Sequence, residues 1–211
     1  MTKALRILLA EDDMLLAQLM LLQLQDAGHQ VELVAEGETA VSAALSYAFD
    51  LVLLDWQMPG MDGLAAAAML RQLGYNRPLV LLSADTVESS LFDACLQKPF
   101  QPDSFLAMLR AVLGADLPPQ FNLAVSPELK QQFKLALADI QQQLLRACQS
   151  RDEATMRAIT HQLKGSAESF GAAALTAEAD KLQRLWQTQP VQQDQLVLLL
   201  QQIALELQSA P

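Results

Sequence analysis

Five short apolar runs, separated by segments with helical periodicity, fill the first half of the chain up to Leu113. Such runs are typical of strands that are buried on both faces of a sheet, as in parallel sheets covered by helices. The pattern therefore predicts an α/β doubly wound, five-stranded parallel sheet with right-handed crossovers. The predicted strands are Leu5 to Ala10, Val31 to Ala35, Leu51 to Leu54, Leu79 to Leu82 and Ala94 to Leu96.

The second half of the chain shows helical periodicity throughout. Apolar residues recur at steps of three or four in the segments 129–148, 156–170, 175–186 and 196–207. Four amphipathic helices of this kind predict an all-α, antiparallel four-helix bundle. Between the halves, the adjacent residues Pro118 and Pro119 cannot continue a helix. The predicted organisation is a domain at 1–113, a linker at 114–125 and a second domain at 126–211.

The chain is acidic, with 14 basic and 24 acidic residues and a net charge of −10. Most of the acidic excess lies before Leu113. Such a surface repels nucleic acid and anionic lipid, so we expect no nucleic-acid partner and no membrane insertion. The amino-terminal segment has one short apolar run that ends in acidic residues, unlike a signal peptide. Cys95 and Cys148 do not suggest a disulfide framework. We therefore expect a cytoplasmic protein.

Reactive side chains follow four of the five predicted strands. Glu11 and Asp12 follow the first strand, Asp55 the third, Ser83 the fourth and Lys98 the fifth. The carboxyl ends of parallel strands meet at one edge of the sheet, so these groups should converge. Clustered carboxylates require a cation, and oxygen ligands suit Mg²⁺. A lysine and a hydroxyl group beside them could donate hydrogen bonds to phosphoryl oxygens.

Four motifs in this half, LAEDD, LVLLDWQMPGMDG, LLSA and LQKPF, occur in the order of the four signatures of a known family. Residues 1–113 resemble the receiver domain of two-component response regulators. The resemblance implies that Asp55 is the phosphoacceptor. It also implies that Ser83 contacts the phosphoryl group and that Lys98 pairs with it.

The same resemblance implies a set of ligands for Mg²⁺. Asp12 would bind the ion directly, and Glu11 would help to hold it. Asp55 would contribute a carboxylate oxygen, and Gln57 would contribute its backbone carbonyl. Asp13 and Asp62, in contrast, are predicted to cap helices.

The chain departs from the receiver pattern between Ser83 and Lys98. If the fifth strand begins at Ala94, only ten residues connect it to the fourth strand. A crossover with its helix normally needs at least about ten to twelve residues, so the receiver's fourth helix should be shortened or missing. In addition, Cys95 stands where receivers usually have Tyr or Phe. We therefore expect a weak or absent conformational output on this face.

The segment HQLKGSAESFG carries the chemistry of the second domain. At 100° per residue, His161 lies about 160° from Leu163, the centre of the apolar stripe, so its ring should face solvent. The segment resembles the signature of histidine phosphotransfer (HPt) domains, over roughly Ser126 to Gln208. The resemblance implies that His161 is a phosphoacceptor that attacks through Nε2. Lys164 would assist, and Gly165 would give access to a partner.

The two resemblances together imply a two-component phosphorelay protein. The chain has no GxxxxGK[ST] loop or kinase-type nucleotide motif, so it should not be an ATP-dependent enzyme and should depend on an external sensor histidine kinase. A downstream response regulator would be the second partner. The alternative functions are a regulatory binding module and a phosphate sink. The sequence leaves open the direction of phosphoryl flow and whether transfer occurs within one chain.

The helix predicted over residues 14–27 has more apolar residues than one core contact requires. One stripe consists of Leu16, Met20, Leu24 and Ala27. Leu15 and Leu22 lie outside it. Either this helix is covered on two sides by its own domain, or it is a docking face for a helical bundle.

Overall fold

The computed structural model describes residues 4–85, 87, 89–98, 102–114 and 125–208. The chain divides into two compact units, Met1–Ala124 and Val125–Pro211. The predicted linker, apart from its first and last residues, lies outside the described residues. Within the described part of the chain, no helix combines the length and the apolar character needed to cross a lipid bilayer.

The first unit contains the predicted parallel sheet. Its strands are β1 (Arg6–Ala10), β2 (Gln30–Val34), β3 (Leu51–Asp55), β4 (Leu79–Ser83) and β5 (Ala94–Gln97). All pairings are parallel, and the strand order is β2-β1-β3-β4-β5. The second strand is added on one side of β1, and the later strands β3, β4 and β5 are added on the other side. At such a change in strand order a crevice forms at the carboxyl ends of the two adjacent strands, here β1 and β3.

Four helices cover the two faces of this sheet. They are α1 (Met14–Asp26), α2 (Gly37–Ser46), α3 (Gly63–Gln72) and α4 (Pro102–Leu113). Because successive strand residues point to opposite faces, the core separates into two clusters. Ile7 and Leu9 pack with α1 and α4, whereas Leu8 and Ala10 pack with α2 and α3. This arrangement is the predicted doubly wound fold.

The connection between β4 and β5 contains no helix among its described residues, as the count of residues predicts. Arg71 of α3 fastens this connection to the domain. Its Nε donates to the carbonyl of Leu91 at 3.0 Å, and its Nη2 donates to Asp93 Oδ2 at 2.8 Å. The same oxygen accepts a hydrogen bond from the backbone N–H of Leu79 at 2.8 Å. Side-chain hydrogen bonds thus hold a segment that a helix would otherwise order.

The second unit is the predicted four-helix bundle. Its helices are α5 (Pro127–Ser150), α6 (Glu153–Ser166), α7 (Ala173–Thr188) and α8 (Leu196–Gln208). The residues that repeat at three and four positions face inward, and each helix contacts two others around a closed ring. Phe133 of α5 stacks on Phe170 with the ring centroids 4.5 Å apart. These contacts form the core of the bundle.

The second helix of the bundle differs from its prediction. The apolar periodicity extends to Phe170, but the α-helix ends at Ser166 and is followed by a 3₁₀ turn, Ala167–Phe170. The Ser166 hydroxyl donates to the carbonyl of Gln162 at 2.9 Å. Gly171 then takes a positive φ of 92°, which ends the turn. A 3₁₀ turn keeps Phe170 on the core side, so periodicity alone cannot distinguish it from an α-helix.

Candidate functional sites in the two units

The acidic site of the first unit lies at the carboxyl end of the sheet. Asp55 is the last residue of β3, and Glu11 and Asp12 follow β1 directly. Asp13, next in sequence, caps α1 by accepting hydrogen bonds from two backbone N–H groups, as predicted. Gly63 begins α3 beside β3, where a Cβ atom would clash with the backbone carbonyl of Asp55. A glycine is therefore needed for α3 to start this close to the site.

Lys98 joins the carboxylates of this site. Its Nζ lies 2.6 Å from Glu11 Oε2 and 2.8 Å from Asp55 Oδ1. The backbone N–H of Trp56 donates to the same Asp55 oxygen at 2.9 Å. Glu11, Asp55 and Lys98 are all buried. Lys98 therefore links the ends of β1 and β3 inside the protein.

The carboxylates of this site crowd one another. One oxygen of each of Glu11, Asp12 and Asp55 lies within 4.8 Å of the others. Burial raises the pKa of Glu11 to about 8, against the attraction of Lys98 and with a further increase from Asp55. Burial and Asp55 also raise the pKa of Asp12. Burial lowers the pKa of Lys98, but Glu11 and Asp55 outweigh it and hold that pKa above its ordinary value.

This set of groups fits a divalent cation. Three carboxylates face one ammonium group, so the site lacks positive charge, and all three donors are oxygen atoms. Hard oxygen ligands of this kind suit Mg²⁺. Asp12, the exposed member, lies on the solvent side, where a hydrated ion can enter. The residues therefore fit the ion that the sequence predicts.

Two further predicted residues lie at the ends of neighbouring strands. Ser83 is buried at the end of β4, and its backbone carbonyl accepts a hydrogen bond from the N–H of Lys98 at 2.7 Å. Its hydroxyl oxygen accepts the N–H of Asp85 at 3.0 Å. Gln57 follows β3 by two residues and is exposed. Its role as a carbonyl ligand stays a prediction.

The histidine of the second unit lies on α6 against α7. His161 Nδ1 is 2.9 Å from Nε2 of Gln183. The ring is half-buried, so the prediction that it faces solvent is only partly right. Periodicity gives the angle between His161 and the core stripe, but it does not show that α7 covers the flank of α6. The contact leaves Nε2 as the ring nitrogen that Gln183 does not bind.

Lys164 lies one turn further along α6 and is buried. Its Nζ is 2.9 Å from Asp180 Oδ1 of α7, and Arg184 Nη2 is 2.8 Å from the second oxygen of Asp180. Burial raises the pKa of Asp180, but hydrogen bonds from Lys164 and Arg184 outweigh it and hold that pKa below its ordinary value. The lysine that the HPt resemblance implies would assist His161 is thus part of a polar interface between two helices.

These contacts pair residues of α6 with residues of α7 in antiparallel order. His161 meets Gln183, and Lys164 meets Asp180, so a step of three residues on α6 matches a step of three on α7. One turn earlier, Arg157 Nη1 donates to the backbone carbonyl of Trp186 at 3.0 Å. Residues three apart on a helix lie on the same side. His161 and Lys164 therefore have their α7 partners along one seam.

Gly165 is the residue that, by the HPt resemblance, would give a partner access to His161. It is buried, and it lies next to the last residue of α6. Glu168 is exposed in the following 3₁₀ turn. Sequence reasoning missed Gln183 and Asp180. Asp180 and Gln183 are three residues apart in a helix predicted to run antiparallel to α6. This spacing matches that of His161 and Lys164, and it is the sequence signal that could have identified them.

The predicted docking helix presents apolar residues to solvent in α1. Met14 is 70% exposed and Leu22 is 40% exposed, whereas Leu15 is half-buried. Leu16, Met20 and Leu24 are buried in the core of the unit. The domain therefore covers the predicted stripe but leaves part of the remaining apolar surface uncovered.

The two units match two known families. The model for the response regulator receiver domain matches residues 7–110, and the model for the Hpt domain matches residues 128–210. The chain is 36% identical over 115 residues to the DNA-binding response regulator MtrA of Mycobacterium tuberculosis (strain ATCC 25618 / H37Rv). That match covers 51% of this chain and 50% of MtrA. It is 31% identical over 115 residues to Protein RcaC of Microchaete diplosiphon, and that match covers 51% of this chain and 18% of RcaC.

Among solved structures, the chemotaxis response regulator CheY4 of Vibrio cholerae is similar to this chain, with 28% sequence identity and a TM-score of 0.49. That similarity covers 53% of this chain and 100% of CheY4. The chain spans half or less of the length of the two curated relatives named above. The two family matches cover separate units, in the order that the sequence predicts. The chain therefore belongs to the proteins that join a response regulator receiver domain to an Hpt domain.

Proposed function

We propose that this chain is an intermediate of a two-component phosphorelay. Asp55 receives a phosphoryl group from the phosphohistidine of a sensor kinase or of another phosphotransfer protein. His161 exchanges a phosphoryl group with another receiver, such as that of a downstream response regulator, as either the donor or the acceptor. The observation that carries the proposal is the presence, in one chain, of a buried carboxylate–lysine site and a half-buried histidine with one ring nitrogen held by a neighbouring helix.

The first step is an attack by Asp55 on phosphorus. Among the described residues, Lys98 and the Trp56 N–H bind Oδ1, which leaves Oδ2 as the nucleophile. The Oδ2–P bond forms while the N–P bond of the donor breaks, and its electron pair returns to the donor's imidazole. Ser83 donates a hydrogen bond to a phosphoryl oxygen, and Lys98 pairs with another. Mg²⁺ held by Glu11, Asp12, Asp55 and the Gln57 carbonyl would neutralise charge on these oxygens.

The second step uses the lone pair of His161 Nε2. For Nε2 to attack, the ring proton must lie on Nδ1, and the amide of Gln183 must present Oε1 to it, an orientation that a half-turn of the amide provides. The N–P bond forms as the O–P bond of the aspartyl phosphate breaks, and the electron pair returns to the carboxylate. The ring becomes a phosphoimidazolium, and Gln183 accepts its Nδ1–H. No proton leaves the site.

Neither residue set supplies a phosphoryl group from ATP, so the chain depends on an external histidine kinase. The receiver promotes its own phosphorylation and slow dephosphorylation, because the charged groups that transfer requires surround Asp55. His161 has one lysine nearby and acts as a donor or an acceptor. We propose no nucleic-acid partner, since the acidic excess of the receiver opposes one.

The apolar residues that α1 exposes suit contact with a helical bundle. We propose that a phosphotransfer partner docks there, and the variant Leu22→Glu tests this. It should slow transfer to Asp55 while leaving the thermal midpoint of unfolding unchanged. Leu45→Glu, a change at a similarly exposed leucine of α2, should leave transfer unaffected. Equal effects of the two changes would contradict docking through α1.

The proposal is tested by phosphotransfer profiling with labelled sensor kinases. Acyl phosphates and phosphohistidines are distinguished by their lability in base and in acid, respectively. The parent chain should carry both forms of label. Asp55→Asn should carry only the acid-labile form, and only when the donor is a separate loaded receiver and not an HPt domain. His161→Gln should carry only the base-labile form. If label reached Asp55 but never His161, the relay would be wrong and a regulatory binding module would replace it.

A further inference from the structure

The ion pair between Lys164 and Asp180 lies between two helices of the bundle, beside a core that is mainly apolar. Lys164 Nζ lies 2.9 Å from Asp180 Oδ1, and both side chains are largely removed from water, with exposures of 9% and 25%. A carboxylate beside a phosphoacceptor works against its phosphorylation. Its presence at the only neighbouring lysine of the HQLKGSA segment therefore needs an explanation.

Asp180 is shared by two cations. Arg184, one turn along α7, reaches its second oxygen at 2.8 Å and is 75% exposed. Arg184 can therefore neutralise Asp180 even when Lys164 moves to another anion. His161 and Lys164 are three residues apart on α6, so one side of the helix carries both. A phosphoryl group on His161 would therefore lie on the side of α6 that also carries Lys164, as a second anion besides Asp180.

We propose, on the basis of the phosphorelay function above, that Asp180 is a positioning residue that sets the share of phosphoryl group held at His161. In the unphosphorylated bundle, Asp180 holds the ammonium group of Lys164. When the Nε2–P bond forms, the phosphoryl oxygens compete with Asp180 for Lys164, and Arg184 remains with Asp180. This competition weakens the hold of the bundle on the phosphoryl group and so favours onward transfer.

Two substitutions change this competition in opposite directions. Asp180→Asn keeps the size of the side chain but removes the competing charge, so Lys164 is released to the phosphoryl group. Arg184→Gln removes the second partner of Asp180, so Asp180 should hold Lys164 more strongly. Because Arg184 is exposed, its substitution should not disturb folding. The control is Glu178→Gln, which removes one negative charge from α7 at a residue paired with Lys181.

The experiment uses the full chain with Asp55 and His161 intact. The receiver is loaded with acetyl phosphate in Mg²⁺, the donor is removed, and the shares of acid-labile and base-labile label are followed. We expect Asp180→Asn to raise the ratio of phosphohistidine to aspartyl phosphate by roughly three- to tenfold, the range of one part-buried charge interaction. Arg184→Gln should lower the ratio, and Glu178→Gln should leave it unchanged.

The effect must pass through Lys164. In a Lys164→Met background, adding Asp180→Asn should change the ratio by less than twofold, because there is then no ammonium group to release. An equal effect in both backgrounds would overturn the proposed role and indicate general electrostatics. An unchanged ratio in Asp180→Asn, in a chain that folds and labels His161, would also overturn it. Absence of label at His161 in the parent chain would instead contradict the phosphorelay itself.

Discussion

The two phosphoryl-carrying residues proposed here lie in very different surroundings. Asp55 is buried among two other carboxylates and a lysine, which follow the ends of β1 and β5. His161 is half-buried on a helix, and one amide of the neighbouring helix holds its ring. The sheet edge concentrates charge that must be neutralised, whereas the bundle interface holds an imidazole ring in place. The difference suggests that the receiver performs the chemistry and the bundle presents a nucleophile.

The comparison can be tested first by removing the lysine of each site. Lys98→Met leaves three carboxylates without their internal cation, and breaking a buried pair costs about 3–5 kcal/mol. Lys164→Met leaves Asp180 paired with Arg184, so we expect a loss of only about 1 kcal/mol. Urea denaturation without Mg²⁺ measures both losses. Trp56 reports on the receiver and Trp186 on the bundle, in variants with the other tryptophan changed to Phe. Similar losses would remove the contrast between the sites.

Mg²⁺ provides the next test, because only the acidic site should bind it. At a tenfold excess of free Mg²⁺ over its Kd, the receiver should gain about 1.4 kcal/mol in free energy of unfolding. The transition of the bundle should not move. Asp12→Asn should abolish most of the gain, and Asp139→Asn, a change at an exposed acidic residue of α5, should leave it intact. A gain that survives Asp12→Asn would contradict the assignment of the site.

A smaller effect is expected from the amide that holds His161. Gln183→Ala removes a hydrogen bond worth about 1 kcal/mol, so phosphorylation of His161 should slow by roughly three- to tenfold through loss of ring position. Loading of Asp55 in the same chain serves as the internal control and should be unchanged. Gln183→Met, which fills similar space without adding charge but cannot accept the Nδ1–H, should slow phosphorylation about as much as Gln183→Ala. Phosphorylation at the parent rate in Gln183→Met would argue against this role.

The smallest change should occur in the connection between β4 and β5. It has no helix among its described residues, Arg71 fastens it, and the exposed Cys95 replaces the usual aromatic residue. Addition of a beryllofluoride mimic should therefore alter amide exchange little at residues 84–98, and more at the ends of β1 and β3. Large changes in protection at 84–98 would show that this receiver retains a conformational output.

Most of the fold could be predicted from the sequence. The apolar runs predicted each strand to within one residue at either end, because strands buried on both faces are nearly continuous in hydrophobicity. Counting the residues between Ser83 and Ala94 predicted a shortened or missing helix, and the described residues of this connection contain none. The cluster of Glu11, Asp55 and Lys98 followed from the rule that parallel strands end at one edge.

The partners across the bundle interface could not be predicted. Periodicity gives the side of a helix that faces the core, but it does not give the register between helices, which side-chain packing decides. Gln183 and Asp180 were therefore missed, and the exposure of His161 was overestimated. Arg71 was missed for a similar reason, since its partners Leu91 and Asp93 are distant in sequence and lie in an irregular segment.

The central claim is that Asp55 loads the chain and His161 receives the phosphoryl group from a receiver. It is tested most directly by treating parent, Asp55→Asn and His161→Gln chains with acetyl phosphate and Mg²⁺. The account predicts base-labile followed by acid-labile label in the parent and only base-labile label in His161→Gln. It predicts no acid-labile label in Asp55→Asn on the same timescale. Rapid labelling of His161 in the Asp55→Asn chain would contradict the account, because it would show that His161 does not need the receiver.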